Sequence, residues 1–115
     1  MRRFAMMIAL LLFSGLLHAA LKVTQLQDKL EHPWSLAFLP GEQSMLITER
    51  PGRLRLWQQD KGLSAPIIGV PQVYAEGQGG LLEVLLAPDF ADSRRVYLSF
   101  AEVGENGKAG TAVGY

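Results

Sequence analysis

The chain has 115 residues, 49% of them hydrophobic and 19% charged, which is a globular composition. Its 11 Lys and Arg balance 11 Asp and Glu, which disfavours a nucleic-acid binder working by phosphate neutralisation. With no cysteine and 2 histidines, it excludes disulfides, thiolate catalysis, Cys-held metal centres and a His-rich metal site of its own.

The first stretch reads as an address. Arg2 and Arg3 precede an apolar run from Phe4 to Leu17, broken by Ser14 and Gly15 and followed by His18-Ala19-Ala20. A basic start, an apolar core and small residues at the end are the three parts of a secretory signal peptide. Residues 1–19 are assigned to it, with cleavage after Ala19 or Ala20. The apolar run is shorter than the roughly 18–20 residues of a membrane-spanning helix. No polar residue of the twin-arginine type precedes the Arg pair. The expected location is the periplasm or the secreted fraction, with no stable membrane insertion after cleavage. Without Arg2 and Arg3 the remaining chain, residues 20–115, has slightly more acid than base.

That remainder reads as strands and turns. Val23 to Leu26 is a short β-prone stretch. Trp34 to Leu39 is a mostly apolar run ended by Pro40-Gly41, and Met45 to Thr48 is a second, ended by Pro51-Gly52. Arg53 to Gln58 alternates, with Leu54 and Leu56 on one face and arginines on the other. Pro66 to Val70 is another strand candidate. Gly77 to Gly80 is a glycine-rich turn, and Leu81 to Leu86 is a buried run ended by Pro88-Asp89. Val96 to Ala101 alternates again, Gly104 to Gly110 reads as a hairpin loop, and Thr111 begins a further strand. No long amphipathic helix is present. Short strands with closely spaced turns predict an all-β sandwich, barrel or propeller.

An internal echo favours the propeller. Leu36-Ala37-Phe38-Leu39-Pro40-Gly41 precedes one short strand, and Val84-Leu85-Leu86-Ala87-Pro88-Asp89 precedes another, with the prolines 48 positions apart. Propeller blades repeat at about 40–50 residues. A ring needs about 4–8 blades, and residues 20–115 hold about two, so the sequence reads as the N-terminal fragment of a longer protein or as a truncated reading frame.

Candidate chemistry is sparse. Ala75-Glu76-Gly77-Gln78-Gly79-Gly80 is the most unusual stretch. Glycines around Gln78 let the backbone turn tightly and let a ligand approach, and the Gln carboxamide can both donate and accept hydrogen bonds. On the residues alone, the commoner occupant of such a stretch is a tight turn with a solvated Gln. His32 lies before Pro33 and reads as structural or surface. Trp34 and Trp57 read as core sooner than as stacking platforms. Glu49-Arg50 reads as a structural ion pair or a solvated turn. Asp89, Asp92, Arg94 and Arg95 form a charged loop with too few ligands for a metal. Asp28 and Glu31 carry no paired-carboxylate signal.

Taken together, the stretches resemble a known family. Leu30-Glu31-His32-Pro33-Trp34-Ser35-Leu36-Ala37-Phe38-Leu39-Pro40 is similar to the opening blade motif of the soluble PQQ-dependent aldose sugar dehydrogenases, the glucose/sorbosone dehydrogenase family. The run Met45 to Arg55 resembles their next strand pair. Gly77-Gln78-Gly79-Gly80-Leu81-Leu82-Glu83-Val84 with Ala87-Pro88-Asp89-Phe90 resembles their GQGGLLDV…HPDF signature. Val96 to Phe100 and Gly110 to Val113 follow the pattern, so the resemblance covers roughly residues 22–115.

The resemblance implies a six-bladed β-propeller of which about the first two blades are present. It implies pyrroloquinoline quinone (PQQ) as cofactor and calcium for cofactor binding and assembly. The implied reaction oxidises the C1 hydroxyl of an aldose to the lactone, with electrons leaving to an acceptor other than NAD. A His acts as general base in the family and PQQ C5 receives the hydride. Gln78 matches the Gln of the GQGG motif, near the substrate and the reactive end of PQQ. The catalytic His belongs to a later His-x-Gly-Gly-Arg-Leu motif that neither His18 nor His32 fits. The calcium ligands and the groups that hold PQQ also belong to later blades, so no catalytic or metal residue is assigned within this chain. Ala87 stands where many members carry His. The alternative reading is a non-enzymatic secreted propeller that serves as a binding or interaction module.

Overall fold

The computed structural model describes residues 19–115. The signal-peptide assignment, Ala19 aside, lies outside the described residues. Among the described residues, seven strands form two antiparallel meanders. The first sheet contains β1 (Pro33–Phe38), β2 (Ser44–Glu49), β3 (Arg53–Gln58) and β4 (Gly62–Leu63), in the order β1-β2-β3-β4. The second contains β5 (Leu81–Leu86), β6 (Val96–Val103) and β7 (Ala109–Gly114), in the order β5-β6-β7. A short helix, α1 (Phe90–Ser93), sits in the β5–β6 connection, and a single 3-10 turn, Glu105–Gly107, in the β6–β7 connection. Among the described residues no helix is long and apolar enough to cross a membrane.

Alternation along β2 and β3 gives the first sheet two different faces. Leu46 pairs with Leu56 and Thr48 with Leu54, so these four share one face. That face meets the second sheet, where Leu46 and Leu54 pack with Leu81, Val84, Leu98 and Phe100. Burial of these side chains supplies the main cohesion between the sheets, at roughly 1.5–3 kcal/mol for each fully buried aliphatic or aromatic side chain. The opposite face carries Met45, Ile47 and Trp57 in a second buried cluster with Leu30 and Leu63 packed against it. A sheet with apolar side chains on both faces is built to be covered on both sides, as a propeller blade is between its neighbours.

The repeat seen in the sequence is structural. β1 turns into β2 as β5 turns into β6, and the Leu39 N–H donates to the Ser44 carbonyl as the Ala87 N–H donates to that of Arg95. The two sheets are successive blades of a β-propeller, and the all-β expectation holds.

Three local expectations need correction, and one strand was not expected. Val23 to Leu26 forms no strand; Leu21 and Val23 are almost fully exposed and no neighbour pairs with them. Pro66 to Val70 also forms none. It runs beside β3 through the Ile67 N–H to the Leu54 carbonyl, and Pro66 lacks the N–H that a ladder requires. β4, only two residues long, is instead formed by Gly62 and Leu63 beside Trp57 and Gln58. Residues 90–93, read as loop, close one helical turn: the Phe90 carbonyl accepts the Arg94 N–H, with Arg94 in the left-handed region at φ 55°.

Candidate glycine-loop site at the strand ends

The start of β1, the end of β2, the start of β3 and the start of β5 meet at one end of the two sheets. His32, Glu49, Arg50, Arg53 and the Glu76–Gly80 loop are therefore neighbours, although they are widely spaced in sequence.

The loop is held closed by its backbone. The Gly79 N–H donates to the Glu76 carbonyl at 2.9 Å, and the Tyr74 N–H donates to the Ala101 carbonyl of β6 at 2.7 Å. Two of its glycines are demanded by contact. A Cβ on Gly79 would lie 2.6 Å from the Tyr74 carbonyl oxygen. Gly80 has φ +136°, and a Cβ there would lie 2.2 Å from the Arg50 carbonyl oxygen. Gly80 is buried and Gly79 partly so, while Gln78 between the turn residues is exposed. The arrangement is a rigid backbone that presents one carboxamide outward.

Arg50 ties the loop to the first sheet. Its N–H donates to the His32 carbonyl at 2.9 Å, and its carbonyl accepts the Leu81 N–H at 2.9 Å. Its guanidinium Nη1 donates to the Gly77 carbonyl. The sequence paired Glu49 with Arg50, and the structure separates them. In an extended strand successive side chains point to opposite faces. The Glu49 side chain turns to the face of Arg53 and Arg55 and accepts from Arg53 Nε and Arg55 Nη1, each at 2.9 Å. Its other oxygen accepts the Glu31 N–H at 2.5 Å. Burial raises the pKa of this carboxyl, but the Glu31 N–H and the two guanidinium groups together outweigh burial and hold it below the usual carboxylate range. The Glu49 hydrogen bond in turn raises the pKa of Arg53. Glu31 completes the network at 2.7 Å from Arg53 Nη2. Glu49 thus serves structure, as the ion-pair reading expected, but with different partners.

The remaining candidates fall elsewhere. His32 is exposed, at φ 48°, and contributes its carbonyl to Arg50. Trp57 is core, whereas Trp34 is half exposed on the outer face of β1. Asp89 precedes α1 and accepts from the Ser93 hydroxyl at 3.0 Å. Among the described residues no three His, Asp or Glu side chains gather to hold a metal ion. Sequence reasoning missed Arg50 as the partner of the glycine loop, since its contact to Gly77 spans 27 positions and no local pattern marks it.

Comparison with known proteins matches the chain to one family. The glucose/sorbosone dehydrogenase family model matches residues 30–115. The aldose sugar dehydrogenase YliI of Escherichia coli is 68% identical over 97 residues, which cover 84% of this chain and 26% of that protein. A crystal structure of a glucose dehydrogenase superimposes with a TM-score of 0.80 at 87% identity, over 82% of this chain and 27% of the other. The PQQ-bound aldose sugar dehydrogenase of Streptomyces coelicolor does so with a TM-score of 0.59 at 26% identity, over 79% of this chain and 26% of the other. The chain thus spans about a quarter of the length of these relatives. The match of the family model over residues 30–115, three quarters of the chain, makes this chain a member of the glucose/sorbosone dehydrogenase family.

Proposed function

We propose that this chain is the N-terminal part of a PQQ-dependent aldose sugar dehydrogenase. The whole protein oxidises the C1 hydroxyl of an aldose to the lactone and passes the electrons to an acceptor other than NAD. The observation that carries this reading is the clamped glycine loop with its single outward carboxamide. A Gln offers one acceptor oxygen and two N–H donors. That donor set suits a sugar hydroxyl or a quinone oxygen, so the residues present fit PQQ at this point. PQQ supplies the electron sink when bound. Gln78 orients the oxygen it meets, and the rigid loop removes the entropy cost of ordering that contact. The general base, the remaining PQQ ligands and the calcium ligands are assigned to later blades. Residues 1–19 direct the protein to the periplasm.

The test is reconstitution of the whole protein with PQQ and calcium, followed by aldose-dependent reduction of an artificial dye and identification of the sugar product. Dye reduction with appearance of the lactone is the expected result. Absence of reduction with a broad panel of aldoses would favour a non-enzymatic binding propeller.

A further inference from the structure

We propose that Arg50 is a positioning residue for Gln78. The inference rests on the dehydrogenase reading of the Gln78 loop. Three ties converge on this one residue from three segments. Its N–H reaches His32 ahead of β1, its carbonyl takes the Leu81 N–H at the start of β5, and its guanidinium holds the Gly77 carbonyl. The last tie is made to the peptide unit that joins Gly77 to Gln78, so the guanidinium fixes the peptide plane from which Gln78 departs. The close approach of Gly80 to the Arg50 carbonyl closes the other end of the loop.

The charge on Arg50 is available for this purpose. Glu49, next in sequence, directs its carboxylate to Arg53 and Arg55 on the other face. Among the described residues no ion pair includes Arg50. A guanidinium-to-carbonyl hydrogen bond is charge-assisted and stronger than a neutral one. The backbone bond from Gly79 to Glu76 closes the turn around Gln78, and the guanidinium from the neighbouring blade adds the one tie made directly to the Gly77–Gln78 peptide.

The test uses the whole protein with Arg50→Ala, Arg50→Lys, Gln78→Ala and the double variant Arg50→Ala/Gln78→Ala. Hydrogen exchange of peptides covering Gly77–Leu81 reads the clamp directly, without cofactor. Arg50→Ala is expected to speed exchange there by about tenfold and to leave the β2 and β6 peptides unchanged. Arg50→Lys, which keeps a positively charged donor group, is expected to recover part of the protection. With PQQ and aldose, Arg50→Ala is expected to lower kcat/KM by about tenfold, and to have no further effect once Gln78 is Ala. Unchanged exchange in Arg50→Ala, or losses from Arg50→Ala and Gln78→Ala that simply multiply, would overturn the proposal. If the unaltered protein oxidises no aldose, the dehydrogenase reading fails, while the exchange experiment still decides whether Arg50 clamps the loop.

Discussion

The Thr48 hydroxyl donates to the Leu82 carbonyl at 2.6 Å across the junction between the two blades. The same oxygen accepts the Ser35 N–H at 3.1 Å, where the pairing of β1 with β2 shifts register. Thr48 is fully buried, so one hydroxyl satisfies a bulge N–H and stitches β2 to β5. Thr48→Val keeps the shape and deletes both bonds. It should cost about 1–3 kcal/mol, the desolvation penalty of polar groups left unpaired. Thr48→Ser should cost less. Denaturant melts of the whole protein with these variants measure the difference.

Glu49 gives the fold an acid limit. Its carboxyl is held below its ordinary value of 4.5, so the folded state binds its proton less readily than the unfolded chain does. The stabilisation is complete above pH 4.5 and is lost as pH falls through the depressed folded value. Glu49→Gln should remove this contribution to the acid dependence. It should cost about 2–3 kcal/mol at neutral pH, because Arg55 loses the carboxylate that neutralised it and Arg53 keeps only the exposed Glu31. Melting curves from pH 7 to pH 3 check both statements: the stabilities of the two proteins should converge as the pH drops.

Gly80→Ala should be severely destabilising. The new methyl group would have to share space with the Arg50 carbonyl, and the backbone is in a region that L-residues rarely adopt. A loss of roughly 2–4 kcal/mol is expected from strain and overpacking together. The thermal midpoint of the purified variant reports it, and a midpoint equal to that of the parent would show that the loop relaxes at no cost.

Much of this fold could be read from the residues. β2, β3, β5 and β6 announce themselves by alternation or by continuous apolar runs bounded by Pro and Gly. The β1–β2 and β5–β6 units repeat Leu36–Gly41 as Val84–Asp89. The failures have physical causes. Val23–Leu26 has strand-like composition but no neighbouring strand to complete its hydrogen bonds. Gly62–Leu63 lacks any strand pattern, since its pairing with Trp57 and Gln58 follows from the turn that returns the chain to β3. At the site, the glycines around Gln78 were visible because their chemistry is local. Arg50 was not, because its role depends on how the two blades meet. The burial of Glu49 was equally hidden, since an isolated carboxylate in sequence gives no sign of two arginines and a backbone N–H converging on it.

The most direct test of the account is the effect of Gln78→Ala on the reconstituted whole protein. If the loop exists to present this carboxamide to the reacting centre, kcat/KM for aldoses should fall by about tenfold or more, while the melting temperature stays within a degree or two of the parent, because the side chain is exposed and only the loop backbone carries the packing. Unchanged kinetics in a well-folded Gln78→Ala protein would contradict the account and reduce the glycine loop to a structural turn.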